Sequence, residues 1–121
     1  MPGIPTSGQV AVADYRTKQY HLMRIGSTGA IICGDGQRVD GILLNKPNTG
    51  EAVTLETNDG VIEFVMAGAS FTRGSELAAN ASGRAITALS GDEAFAIADE
   101  DASGDGSIVR VLTRFRGGLT G

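Results

Sequence analysis

The chain repeats itself at one fixed shift. Segment 27–51, "STGAIICGDGQRVDGILLNKPNTGE", lies over segment 81–105, "ASGRAITALSGDEAFAIADEDASGD", so that Gly29 falls on Gly83 (83 − 29 = 54). Each copy contains a turn, a short apolar stretch, a connection with Gly and Asp, a second apolar stretch and a polar loop. A fixed internal period usually marks one supersecondary unit that is used twice. The repeat therefore predicts a scaffold with an internal duplicated β unit.

Apolar stretches of strand length recur along the whole chain, with Gly, Asp and Asn turn signals between them. The clearest, "SIVRVLTRF" at 107–115, alternates between two faces. Asp59 and Gly60 are typical of a tight hairpin that joins the stretches on either side. Short strands at close spacing predict an all-β fold, a small β-barrel or sandwich with little helix. The predicted strands are 9–13, 19–25, 30–33, 41–44, 53–56, 61–66, 76–79, 84–88, 94–98 and 107–115.

With 121 residues, the chain has the size of one domain. We expect an extended N-terminal arm at 1–8, a single β domain at 9–116 and a C-terminal tail at 117–121. The arm, "MPGIPTSG", has two prolines and two glycines and no periodicity. Four Phe, two Tyr, no Trp and 18 Gly predict a thin core, which favours stabilisation by oligomerisation.

Charge and hydropathy exclude several classes of partner. A net charge of −4 argues against nucleic acid, because neutralising phosphates requires a basic face. No stretch reaches the about 18 apolar residues of a membrane span, and the N-terminus lacks a charged region followed by an apolar one. The single cysteine, Cys33, excludes an internal disulfide framework and is compatible with a reducing compartment. We expect a soluble chain without an ordinary export signal.

The residue types that usually carry catalysis are scarce. His21 is the only histidine, and it stands inside a predicted strand, where a structural role is expected. Cys33 lies in the apolar run "AIIC" and is predicted to be a small buried hydrophobe. Two such residues cannot form the cluster that zinc requires. The sequence therefore supports no catalytic residue, no metal site and no cofactor.

An acidic loop precedes the last strand. Its acidic residues are Asp99, Glu100, Asp101 and Asp105. The first six positions of a calcium loop could start at Asp99, but the twelfth, which requires a bidentate Glu, is Arg110. We therefore expect a solvated acidic loop and no calcium site.

Several segments resemble the small capsid decoration, or cement, proteins of tailed bacteriophages. The resemblance rests on "QYHLM" at 19–23, "GILLNKP" at 41–47 and "GEAV" at 50–53, with looser matches at 67–86 and 95–112. It covers roughly residues 19–112, and the Pro-rich arm and the C-terminal "TRFRGGLTG" depart from it. It implies a β-barrel-like module that binds the outer face of the shell formed by the major capsid protein, often as a homotrimer. It also implies a location on the virion after synthesis in the host cytoplasm.

Two elements are our hypotheses for attachment. The arm, with Pro2, Ile4 and Pro5, would lie across a capsid subunit or a neighbouring copy as an added edge strand. The basic residues Arg110, Arg114 and Arg116 would meet an acidic capsid surface or a neighbour's acidic loop.

Two other functions stay open from the residues. A virion spike or glycan-binding module would need exposed aromatic residues, for which Tyr15 and Tyr20 are the only tyrosines. A small oligomeric β-barrel enzyme would need His21 to approach a carboxylate across a subunit interface.

Overall fold

The computed structural model describes residues 10–115, which form two antiparallel sheets and contain no helix. The first sheet has the order β2-β1-β3-β4 and the second the order β5-β9-β8-β6-β7. The all-β prediction is confirmed, and of its two alternatives the structure adopts the sandwich-like one. The strands are β1 (Leu22–Gly26), β2 (Gly29–Ile32), β3 (Gly41–Leu43), β4 (Leu55–Glu56), β5 (Ile62–Met66), β6 (Glu76–Ala79), β7 (Ala85–Thr87), β8 (Ala96–Ala98) and β9 (Ile108–Thr113).

The duplicated unit is confirmed by strand order and by register. The order β2-β1-β3-β4 of the first sheet recurs as β7-β6-β8-β9 in the second. Met23 pairs with Ile32 between β1 and β2, and Leu77 pairs with Thr87 between β6 and β7. Met23 of β1 is thus equivalent to Leu77 of β6, at a spacing of 54 (77 − 23). Ile32 of β2 is equivalent to Thr87 of β7, at a spacing of 55 (87 − 32). Each sheet is one copy of the unit, and β5 is an additional strand at the edge of the second copy.

The repeat extends beyond the segments that are similar in sequence. The Tyr15 N–H donates to the Pro47 carbonyl at 2.9 Å, and the Phe71 N–H donates to the Ala102 carbonyl at 3.3 Å. The spacing between Tyr15 and Phe71 is 56 (71 − 15), and both side chains are buried. The drift in spacing from 54 to 56 explains why a single shift aligns only part of the two copies.

Each unit has its own small hydrophobic core. The first core includes Tyr15, Met23 and Leu55, whereas the second is centred on Phe71 and Phe95. Leu22 and Ile42 belong to strands of the first sheet but pack into the second core. Because alternate residues of a strand point to opposite faces, β1 contributes Met23 to one core and Leu22 to the other. Strands β1 and β3 of the first sheet therefore join the two units, because each contributes side chains to both cores.

Two sequence predictions are wrong. The predicted strand at 9–13 does not form in its described part, residues 10–13, where Val10 bridges antiparallel to Ala52 and Ala11 bridges parallel to Ala30. Because these bridges have different partners and directions, they do not extend into a ladder. The turn at 57–60 exists, but it does not close a hairpin, since β4 lies in the first sheet and β5 pairs with β9 in the second.

The N-terminal arm at 1–8 and the tail at 117–121 lie outside the described residues. The division of the chain at these points stays a prediction.

Candidate functional site

One face of the β5–β9 ribbon carries exposed apolar side chains. Register pairs on this face are Ile62 with Leu112, Phe64 with Arg110 and Met66 with Ile108; we call these six residues the outer face. Ile62, Phe64 and Ile108 are 53%, 43% and 42% exposed. Exposed apolar residues that lie together mark interaction surfaces. Because β5 is also the edge strand of its sheet, its outer backbone edge has no neighbouring strand among the described residues.

A groove of about 260 Å³ adjoins the outer face. It is open to solvent and shares Met66 and Ile108 with that face. The Tyr20 ring contacts the Phe64 ring at a centroid distance of 6.0 Å, which connects the groove to the centre of the outer face. The groove thus combines cationic, amide, hydroxyl and aromatic groups. Its lining residues are Arg16, Thr17, Gln19, Tyr20, Lys46, Met66 and Ile108.

Tyr20 has a strained backbone in this groove. Its φ is 67°, and no other described residue except glycine has a positive φ. The equivalent residue of the second unit is Gly74, with φ 92°. The Tyr20 N–H donates to the Leu43 carbonyl at 2.7 Å, just as the Gly74 N–H donates to the Ala98 carbonyl at 2.9 Å. A bulky residue in this conformation costs about 1–3 kcal/mol, and such strain is concentrated at functional sites.

All four residues of the predicted acidic loop have partners in their own chain. Asp99 lies 3.8 Å from Arg73, Glu100 lies 3.6 Å from Arg110, and Asp105 lies 2.8 Å from Arg84. Asp101 accepts a hydrogen bond from the Arg73 N–H at 2.8 Å. Within residues 10–115, no three His, Cys, Asp or Glu side chains form a group that could hold a metal ion. The loop is held against the protein by these contacts.

The predicted basic cluster is divided by the structure. Arg110 lies on the outer face, where its guanidinium pairs with Glu100. Arg114 is exposed just after β9, and its N–H donates to the Phe95 carbonyl at 2.6 Å. Arg116 lies outside the described residues, as do Pro2, Ile4 and Pro5 of the arm. Their proposed capsid contacts stay predictions.

His21 and Cys33, whose residue types often serve in catalysis, are both buried. His21 Nδ1 lies 3.3 Å from the Gln19 carbonyl, and Arg84 Nε donates to His21 Nε2 at 3.3 Å. Burial lowers the pKa of His21 and raises that of the Cys33 thiol to about 12. Both ring nitrogens of His21 are therefore engaged within the chain, which leaves none for the inter-subunit carboxylate that the enzyme hypothesis requires.

The groove is not among the sequence predictions, because Tyr20, Lys46 and the neighbouring Phe64 come from separate segments of the chain. The alternation of "IEFVM" in β5 could have placed Ile62, Phe64 and Met66 on one face. Tyr15, the other tyrosine that the glycan hypothesis considered, is a core residue whose hydroxyl donates to the Ala30 carbonyl at 3.1 Å.

The fold and its surface define a small duplicated β-sandwich with an exposed apolar face. A family model described as phage cement protein matches residues 9–113. The chain therefore belongs to the phage cement protein family, and its role is that of a capsid-associated decoration protein. This confirms the resemblance found in the sequence.

Comparison with solved structures gives a similar fold. The N base of the head fibre gp8.5 of bacteriophage phi29 superposes with a TM-score of 0.72 at 17% sequence identity, covering 91% of this chain and 94% of that one. No curated protein matches the chain. Within residues 10–115, no helix is long and apolar enough to cross a membrane.

Proposed function

We propose that this chain binds the outer surface of the shell formed by the phage major capsid protein and stabilises that shell. The family match over residues 9–113 is the observation that carries the proposal. The protein remains on the virion surface after synthesis in the host cytoplasm. Its function is structural and uses neither an enzymatic activity nor a nucleic acid.

The proposal includes assembly as a homotrimer. Each unit has a small core, and additional contacts with other copies would offset the limited apolar area that one chain buries. A shell offers threefold and local threefold positions, which suit a trimer. Many weak contacts on one shell also reinforce each other through multivalency.

We assign the contact with the shell to the outer face. Three of its six residues, Ile62, Phe64 and Ile108, are large, apolar and exposed. Phe64 lies at its centre, between Ile62 and Met66 along β5. Central aromatic residues commonly contribute most of the binding energy of an interface.

Co-sedimentation with capsid shells of the phage, stripped of surface proteins, tests this function. The protein should co-sediment at saturable occupancy and raise the temperature at which the shells disrupt. Light scattering of the purified protein should give the mass of three chains. Absence of saturable binding would overturn the function, and the mass of a single chain in light scattering would overturn the trimer.

Matched variants locate the contact. Phe64→Ser should reduce occupancy at least tenfold at subsaturating concentration, whereas Leu89→Ser should not change it. Leu89 is a suitable control because it is 65% exposed but lies outside the outer face. Equal binding by the two variants would remove the outer face from the contact.

The arm is tested separately by deleting residues 1–8. We expect lower occupancy on preformed shells, because an extended segment can add a strand to an open sheet edge. Undiminished occupancy would exclude the arm from attachment.

A further inference from the structure

The two copies of the duplicated unit differ in a contact between a side chain and the backbone beside the groove. The Leu44 N–H donates to the Thr54 carbonyl at 2.8 Å, and the Asp99 N–H donates to the Arg110 carbonyl at 2.9 Å. Leu44 and Asp99 are therefore equivalent, with a spacing of 55 (99 − 44). The same spacing makes Lys46 equivalent to Asp101 (101 − 46).

In the second copy, this position supplies a carboxylate to the backbone. Asp101 Oδ1 accepts a hydrogen bond from the Arg73 N–H at 2.8 Å. Arg73 directly precedes Gly74, as Gln19 directly precedes Tyr20. The equivalent donor of the first copy is therefore the Gln19 N–H, and the residue opposite it is Lys46. An ammonium group can only donate hydrogen bonds, so Lys46 cannot accept one from the Gln19 N–H as Asp101 does from the Arg73 N–H.

In the first copy, two donors of the groove thus lack a partner among the residues that the structure describes. Within residues 10–115, neither the Gln19 N–H nor the Lys46 ammonium group has an acceptor. Both residues line the groove, which opens to solvent beside the outer face. One carboxylate in the position of the Asp101 side chain would accept from the Gln19 N–H and pair with Lys46. Charge-assisted hydrogen bonds of this kind are about twice as strong as neutral ones.

We propose that the groove binds an Asp or Glu side chain of the capsid protein, in the position that Asp101 occupies in the second copy. The inference rests on the proposed function, and it names the chemistry of the partner. In the first copy the carboxylate comes from the partner, whereas in the second copy Asp101 of the same chain supplies it.

The surroundings of the groove favour a protein partner. Met66 and Ile108 belong to both the groove and the outer face, so a segment that inserts a carboxylate can also cover exposed apolar side chains. The acidic loop of a second copy of this chain, from Asp99 to Asp105, is a poor source of the carboxylate, because its side chains already contact Arg73, Arg84 and Arg110 of their own chain.

Tyr20 supports the same interpretation. The turn forms in the second copy with Gly74, so the scaffold does not require a tyrosine here. The first copy nevertheless holds Tyr20 at φ 67°, where its ring lines the groove and touches Phe64. An aromatic ring beside a bound carboxylate would exclude water from that side, and a lower local dielectric strengthens electrostatic pairing.

An NMR titration with acidic polymers, in which the amide resonance of Gln19 is followed, tests the site directly. The probes are poly-L-glutamate and, for an acidic sugar, polygalacturonate. Poly-L-glutamate should shift the Gln19 amide proton downfield in the wild-type protein. In Lys46→Asp the resonance should already lie near the wild-type end point, because the new carboxylate accepts from Gln19, and binding should weaken at least tenfold. Lys46→Met, whose side chain has no strong acceptor, should weaken binding equally but leave the free resonance unshifted.

Lys18→Asp is the matched control. It makes the same change of charge next to Gln19 in sequence, but Lys18 does not line the groove. Its response to poly-L-glutamate should stay within twofold of wild type. A Gln19 resonance that neither probe shifts would overturn the carboxylate site. Tighter binding of polygalacturonate than of poly-L-glutamate would replace the protein partner by an acidic glycan.

Capsid shells separate this inference from the proposed function. Lys46→Asp should lose at least tenfold in occupancy, and Lys18→Asp should retain wild-type occupancy. If the wild-type protein binds shells and Lys46→Asp binds equally well, the groove is not the contact. If the wild-type protein does not bind shells at all, the proposed function fails, and with it the capsid protein as the source of the carboxylate.

Discussion

Arg84 donates a hydrogen bond through Nε to His21 Nε2 across 3.3 Å. His21 directly precedes β1 in the first unit, whereas Arg84 directly precedes β7 in the second. The guanidinium of Arg84 also pairs with Asp105 at 2.8 Å. The hydrogen bond from Arg84 to His21 requires a neutral imidazole, because a protonated ring has no lone pair to accept the Arg84 N–H. This hydrogen bond therefore joins the two units only while His21 is uncharged.

The free energy of unfolding should decrease as the pH falls below 6.5. Burial and the charge of Arg84 lower the pKa of His21 from its usual 6.5, so the unfolded state binds a proton that the folded state rejects. The associated stability is complete above pH 6.5 and is lost as the pH falls to the lowered pKa of the folded state. Urea denaturation between pH 5.5 and 7.5 measures this slope.

His21→Gln is the control for this pH dependence. Glutamine does not titrate, and the chain has no other histidine. The variant should have a flatter slope over the same range, even if it is less stable at every pH. An identical slope in both proteins would show that His21 does not titrate with folding.

The Cys33 thiol should be inert in the folded protein. Burial, assisted by the negative charge of Asp40, raises the pKa of Cys33 to about 12, so almost no thiolate exists at pH 8. Iodoacetamide at pH 8 should modify the native chain negligibly in an hour and modify one thiol per chain in guanidinium chloride. Mass spectrometry counts the adducts, with Cys33→Ala as the blank. Rapid modification of the native chain would show that the site opens.

Gly74→Ala should destabilise the protein by about 1 kcal/mol. A Cβ at Gly74 meets no atom within 4 Å, but its φ of 92° disfavours any side chain. Gly104→Ala is the matched control, because that site is equally open and its φ is not positive. Its stability should stay within about 0.5 kcal/mol of wild type. Urea midpoints compare the two, and equal midpoints would remove backbone strain as the cause.

Phe95→Ala should destabilise the protein by about 3–5 kcal/mol. Phe95 is the largest fully buried side chain among the described residues, and its ring stacks on Phe115 at 6.3 Å. Leu89→Ala removes an exposed apolar side chain and should change stability by less than about 0.5 kcal/mol. Thermal denaturation distinguishes the two variants. A small loss in Phe95→Ala would mean that the second core repacks around the cavity.

The strands were predictable because alternation and turn residues are local properties of a sequence. Each of the nine strands overlaps a predicted one, and β9 at Ile108–Thr113 lies inside the predicted 107–115. Strand partners were less predictable. The turn at 57–60 has good hairpin residues, but β5 pairs with β9, so that Ile62 meets Leu112 from the far end of the chain. A turn reverses the chain, whereas the partner is decided by which surfaces can be buried together.

The candidate site was the least predictable part. The basic and acidic residues that the sequence highlights are paired with each other in several places, as Arg110 is with Glu100. The groove depends on Gln19 and Lys46, which lie far apart in the sequence and are ordinary in composition. The two residues are recognised as equivalent, Lys46 in the first copy and Asp101 in the second, only when the copies are aligned by structure, because the spacing there is 55 and not 54.

Repeat, alternation and turn residues are local patterns, and from them the sequence predicts a duplicated all-β domain; its resemblance to capsid decoration proteins rests on the segments at 19–23, 41–47 and 50–53. Tertiary structure sets which strands pair, which charges neutralise each other and which donors of residues 10–115 lack a partner in the groove. These depend on register between distant segments, and a drift of one or two positions between the copies changes which side chains meet.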